Sequence, residues 1–235
     1  MTMTEMKVQQ RFGLERLPVV TAAVFAVTAV MNGLQFAVHG LLEHLQRTPA
    51  GLEGDWWRSF TSLFVQDGGV FGTVSNLAFL LVVGALAEQV LRPGRWLVCY
   101  FGAGLAGELA GYAWQPHGGG NSVAICGLAG ALIVASLRDD ARVPTFAPTV
   151  LMYWSAALVG SWWPLLVVGV VLGLLATQGI KRGLPVRRPV TVLAALVGAA
   201  LALAQDIHGA ALVAGIVIAA LLTLVARERT AVVQA

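Results

Sequence analysis

The chemistry in this chain starts with Ser122, in "GGGNSVAICG" (118–127), and His208, in "QDIHGAALVAG" (205–215). A serine hydroxyl attacks a carbonyl only when a positioned base takes its proton, and a neutral imidazole suits that task near neutral pH. Such a pair performs acyl transfer. The separation of 86 positions is no obstacle, since nucleophile and base are defined by geometry and not by chain order. Two readings of the stretch stand side by side. In the plainer one the glycines form a loose turn, Ser122 caps a helix and His208 bonds a neighbouring carbonyl. In the sharper one Ser122 is a nucleophile at a helix N-terminus, where unpaired backbone N–H groups can stabilise an oxyanion.

The other polar groups inside apolar stretches are Asn76, Glu88 and Glu108, and such groups are functional candidates at membrane depth. Glu108, in "GAGLAGELAGY" and about three turns into its expected helix, carries no assigned role. Asp206, two residues before His208, reads as a solvated loop acid, because residues i and i+2 do not share a helix face. His39 and His44, with Glu43 nearby, lie five apart, a spacing that does not place both on one helical face for a metal. They read as interfacial. His117 sits in a glycine-flanked loop, a poor way to fix a side chain. Cys99 and Cys126 fall in apolar runs and read as buried thiols.

The elements that must hold these groups follow from composition. Hydrophobic residues make up 57% and charged residues 11%, with a mean hydropathy of +0.78; soluble domains carry ~25% charged residues. The chain reads as all-α, a polytopic helical membrane bundle, with helix-length apolar runs rather than the alternating segments of a barrel. These runs are 17–38, 71–90, 96–114, 122–137, 146–160, 164–180, 189–204 and 207–226, giving eight expected spans, or six if 146–180 is re-entrant or interfacial. The first run is too long for a signal peptide and lacks a clean cleavage site, so it reads as an uncleaved span.

Basic residues divide unevenly between the two sides. Lys7, Arg11, Arg16, Arg92, Arg95, Arg138, Arg142, Lys181, Arg182, Arg187, Arg188, Arg227 and Arg229 fall on one, against Arg47 and Arg58 on the other. This bias predicts cytoplasmic termini in a bacterial-type cell membrane: a cytoplasmic segment 1–16, one membrane domain 17–226 and a cytoplasmic tail 227–235. The 39–70 and 115–121 loops, "SWWP" (161–164) and "QDIH" (205–208) then face outward, which puts Ser122 and His208 at one depth. Trp56, Trp57 and the "SWWP" tryptophans read as interfacial anchors. The pI of about 9.2 follows from the same bias and implies no nucleic-acid partner.

Over residues 57 to 215 the pattern resembles the rhomboid family of intramembrane serine proteases. "WWRSFTSLF" (56–64) is similar to the family's Trp-Arg element. "NLAFLLVVGALAEQVLRPGR" (76–95) resembles its second helix, with Asn76 followed twelve residues on by Glu88. "GNSVAICGLAGA" (120–131) resembles the Gly-x-Ser-Gly-x-x-x-Gly nucleophile motif at Gly120, Ser122 and Gly127. "IHGAALVAG" (207–215) resembles the last core helix at His208 and Gly215. The pattern departs at Gly72, where the family commonly has His, at Val123 and Ala211, where it has Gly, and at Cys126, often aromatic.

The resemblance implies a six-helix core with two extra spans. It makes Ser122 the nucleophile, His208 the general base of a dyad, and Asn76 an oxyanion donor beside the Ser122 backbone N–H. Trp57, Arg58 and Glu88 would be structural. It also implies an intramembrane endopeptidase that acts on a transmembrane segment of another protein within the lipid bilayer, with no metal and no organic cofactor. The alternative is a rhomboid-like pseudoprotease that binds membrane segments, motivated by Gly72, Val123 and Cys126.

Overall fold

The computed structural model describes residues 15–160 and 162–234. Lys7, Arg11, Ser161 and the side chains of Arg227 and Arg229 lie outside the described residues. The architecture is all-helical among the described residues. In chain order the helices are α1 (Val19–Ala37), α2 (Leu41–Leu45), α3 (Arg58–Thr61), α4 (Gly69–Val90), α5 (Pro93–Leu97), α6 (Ala103–Trp114), α7 (Ser122–Leu137), α8 (Ala147–Leu158), α9 (Trp163–Lys181), α10 (Arg187–Leu203) and α11 (Ile207–Gln234). One π turn, Val98–Gly102, joins α5 to α6. Proline sits in the first turn of α5, α8 and α9, where its missing N–H costs nothing.

Each expected apolar run falls on helical structure, 96–114 across the end of α5, the π turn and α6. By length and composition α1, α4, α9 and the Ile207–Ala226 part of α11 are long and apolar enough to cross a membrane; α7 is apolar but shorter. The chain is an integral, multi-pass membrane protein. The 39–70 segment, expected as a loop, contains α2 and α3 as well as the 3-10 turns Pro49–Leu52 and Ser62–Phe64.

Helix α7 is the centre of the bundle. Every residue from Val123 to Ile133 is buried, and α4, α6, α8, α10 and α11 all pack on it. A helix apolar on all sides is either a core helix or a membrane span, and the small residues of α7 suit it to close packing inside the bundle. The lipid-facing role falls to the outer helices, which expose Val27, Val30 and Leu34 on α1, Val167, Val171 and Leu175 on α9, and Val217, Leu221 and Leu224 on α11.

Two contacts fix the frame. At the first, α1 begins after Pro18 with no side-chain cap of its own. Glu88 of α4 supplies one: its Oε1 accepts the Val20 N–H at 2.9 Å, and its Oε2 accepts the Thr21 N–H at 2.9 Å and the Thr21 hydroxyl at 2.8 Å. A carboxylate suits this place because the first N–H groups of a helix lack partners and the helix dipole favours negative charge there. At the second, α11 and the π turn press backbone-close on α7. A Cβ on Gly215 would lie 2.6 Å from the Gly127 carbonyl oxygen, and one on Gly127 would lie 2.1 Å from that of Cys99.

Gly215→Ala is therefore expected to lose about 1–3 kcal/mol through overpacking against backbone. Gly33→Ala on α1, where an added Cβ meets nothing within 4 Å, is expected to be neutral or slightly stabilising. Thermal unfolding in detergent micelles measures both, and equal midpoints would contradict the packing described.

Candidate active site

The site is built where α7 and α11 begin. Ser122 is the first residue of α7, with Asn121 at the N-cap position making no side-chain cap bond. His208 is the second residue of α11. The Ser122 Oγ lies 3.0 Å from His208 Nε2, within hydrogen-bond reach. The Ser122 hydroxyl thus turns to His208 instead of capping its helix. As the first residue of α7, Ser122 also keeps a backbone N–H with no partner inside the helix.

Asp206 corrects the reading of a solvated acid. Its Oδ1 accepts the His208 backbone N–H at 2.8 Å and lies 2.8 Å from His208 Nδ1. The face rule fails because Asp206 precedes α11: at the N-cap position the backbone is not helical, and the side chain folds back over the second residue. Burial opposes charge on Asp206, but the His208 ring and backbone N–H bonds outweigh it and hold the carboxyl below its ordinary range. The file Ser122, His208, Asp206 has the geometry of a nucleophile, a base and an orienting acid.

Val123 does not crowd the helices apart. Its Cγ1 points at Gly107 of α6, where an added Cβ would lie 2.4 Å from Val123 and 2.9 Å from the Ala211 Cβ. The bulk that Val123 and Ala211 bring is taken up by a glycine on the third helix. Cys126 is fully buried, as is Cys99, and the two are free thiols.

The glycine run before Ser122 is not loose. The Arg47 N–H bonds the Gly118 carbonyl at 2.8 Å, and the Gly118 N–H returns to the Arg47 carbonyl at 3.1 Å. The Asp67 N–H bonds the Gly119 carbonyl at 3.0 Å, and the Gly120 N–H bonds the Ser62 carbonyl at 2.9 Å. Gly118 has φ 151°, a backbone region that side-chain-bearing residues rarely enter. The run lets two loops lie backbone to backbone beside the serine.

Arg47 and Glu108 form a buried ion pair beneath these loops, with both side chains 1% exposed. Arg47 also donates from Nε and a terminal nitrogen to the Gln115 carbonyl at 3.0 and 2.8 Å. A Cβ on Gly111 would lie 2.5 Å from the guanidinium carbon, so that glycine makes room for the pair. Glu108, which had no assigned role, therefore ties α6 to the first loop. Arg47 entered the sequence reading only as a charge; the sole hint was an arginine on the side otherwise poor in them.

The remaining expected residues fall as follows. Arg58 is buried, donating to the Asp55 carboxylate at 2.9 Å and to the carbonyls of Glu43 and Gln46 at 2.9 and 3.2 Å. Trp57, beside it, is half-buried, while Trp56, Trp162 and Trp163 are each more than 70% exposed. His39 and His44 are exposed, and no cluster able to hold a metal occurs among the described residues. A cavity of about 530 Å³ opens over the pair, with Ser122, His208, Asn76, Gln66, Glu108 and the exposed His117 among its lining. Asn76 thus shares the cavity with Ser122. Phe71, Phe79, Trp154 and Leu166 give the cavity an apolar side.

Fold and site together define an integral helical membrane protein with a serine and histidine paired inside the bundle. The Rhomboid domain matches residues 53–229, and the chain belongs to the rhomboid family. It is 34% identical over 92 residues to "Rhomboid protease GluP" of Bacillus subtilis (strain 168), covering 37% of this chain and 17% of that protein. It is 31% identical over 92 residues to "Putative rhomboid protease YdcA" of the same organism, covering 37% of this chain and 45% of that one. In both cases the match spans less than half of the relative's length. No solved structure matches the chain significantly.

The Asp206 contact makes a pH-dependent prediction. Because its folded pKa is depressed, its stabilisation is complete above the ordinary carboxyl value and is lost as pH falls through the lower folded value. Asp206→Asn should therefore melt below the wild type at neutral pH, with the gap closing below the ordinary 3.8. Melting curves across pH check this, and a gap constant with pH would contradict it.

Proposed function

We propose that the chain is an intramembrane serine endopeptidase acting on a transmembrane segment of another membrane protein. The observation that carries this is the 3.0 Å approach of Ser122 Oγ to His208 Nε2 at a roomy, partly polar cavity inside a membrane bundle. A hydroxyl and an imidazole in contact at such a cavity do little for stability but are what acyl transfer requires.

In this reading a substrate segment unwinds locally so that a backbone carbonyl reaches Ser122. His208 Nε2 takes the serine proton as Oγ attacks, and the tetrahedral oxyanion lies against the Ser122 N–H and the Asn76 amide. Collapse breaks the peptide C–N bond, with His208 giving its proton to the leaving amine, and leaves an acyl-enzyme. Water, deprotonated by His208, releases the new carboxyl terminus. Asp206 holds the ring with Nε2 free to accept, by bonding Nδ1. The distribution of basic residues supports placing this cavity on the outer side, with both termini cytoplasmic.

The pseudoprotease reading loses one of its motives, because Val123 is accommodated by Gly107. A fluorophosphonate, which phosphonylates activated serines, should label the wild type in detergent. Ser122→Ala should abolish labelling, and His208→Ala should reduce it by about 10³-fold or more. Wild-type protein that neither labels nor cleaves any membrane segment tested would leave the pseudoprotease reading in its place.

A further inference from the structure

Gln66 lies between the first loop and α4, just after the 3-10 turn Ser62–Phe64, and only 7% of its surface is exposed. Its backbone is held from both sides by one side chain of α1. The Gln66 N–H donates to Gln35 Oε1 at 2.8 Å, and Gln35 Nε2 donates to the Gln66 carbonyl at 2.8 Å. Its own amide then reaches α4, where Asn76 Nδ2 donates to Gln66 Oε1 at 2.7 Å.

The slot that receives this amide is made by absent side chains. A Cβ on Gly72 would lie 2.7 Å from Gln66 Nε2, one on Gly68 2.8 Å from the same atom, and one on Gly120 2.8 Å from Gln66 Oε1. The same point on Gly120 is 3.3 Å from Ser122 Oγ, so amide and hydroxyl flank one glycine. At Gly72 the three nearest atoms to an added Cβ all belong to Gln66.

We propose that Gln66 is a positioning residue for Asn76, holding one N–H of its amide so that the other faces the carbonyl oxygen of the bond that Ser122 attacks. An asparagine amide carries two N–H groups, and one is committed to Gln66 Oε1. Without that acceptor the Asn76 side chain turns about its own bonds, and a donor that must reorganise as charge develops loses much of its worth. Because Gln66 is clasped by Gln35, the aim of Asn76 is set from α1, a helix that contributes nothing else to the cavity. The inference rests on the Ser122–His208 reading above.

The test is the second-order rate constant of fluorophosphonate labelling, since the phosphoryl oxygen takes the place of the oxyanion. Gln66→Met removes the acceptor at similar length, and Gly72→Ala pushes the amide aside at a helical position where alanine favours folding. Both are expected to slow labelling by about 10- to 100-fold, with the melting temperature of Gly72→Ala at or above that of the wild type. In an Asn76→Ala background neither should slow it further, which a merely structural role of Gln66 would not produce. Labelling at the wild-type rate in both variants, or losses that multiply with that of Asn76→Ala, overturns the proposal while leaving the hydrolase reading intact. A wild type that does not label at all removes both.

Discussion

The structure depends on how closely α11 and the π turn approach α7. Lipid tails are as apolar as leucine, so helices inside a bilayer gain little from hiding apolar surface from each other. They hold together by tight packing and by polar contacts, and small residues let backbones touch. Here Gly127 meets Cys99 on one side and Gly215 on the other, and a Cβ on Gly130 would lie 2.6 Å from the backbone nitrogen of Ile216. These contacts lock α7 and α11 in register. With both helices fixed, the first residue of one and the second of the other have little freedom, and a short serine side chain can reach an imidazole at 3.0 Å.

Polar residues do the complementary work at the ends of the helices. A buried charge is costly unless it is paired and fully hydrogen-bonded, so Glu88 and Glu108 are informative where they sit. Glu88 spends its oxygens on the uncapped start of α1. Glu108 takes Arg47, which in turn holds the Gln115 carbonyl and, through its backbone, Gly118. The ion pair thereby links α6, the first loop and the loop leading to Ser122.

Much of this was legible in the sequence. Apolar runs locate helices because a bilayer demands it, and a lone serine after glycines and a lone histidine at the same depth stand out by type. What stayed hidden depends on where the backbone leaves the helix or on a third partner. Asp206 escapes the face rule, which assumes helix on both sides of His208, because the helix starts between them. The room for Val123 is hidden in the sequence because Gly107, which provides it, lies on another helix and 16 residues earlier. The partnership of Gln66 with Gly72 and Gly120 is of the same kind: three positions joined only by the fold, of which two bear no side chain to notice.

The length of α7 ties these features to the chemistry. Its 16 residues rise about 24 Å at 1.5 Å per residue, against a hydrocarbon core of about 30 Å. A helix so short cannot bring its first residue to the membrane surface if its last reaches the other side. With the charged residues 138–140 at one face of such a bilayer, α7 would leave Ser122 short of the other, and the chain that precedes it is loop. Loop backbone at that depth is tolerated only where protein or a water-filled cavity satisfies its polar groups. The bonds from Gly118, Gly119 and Gly120 to Arg47, Asp67 and Ser62 do so on one side, and the cavity of about 530 Å³ does so on the other. Depth, tied loops and a cavity able to admit water are thus one consequence of a central helix that stops short.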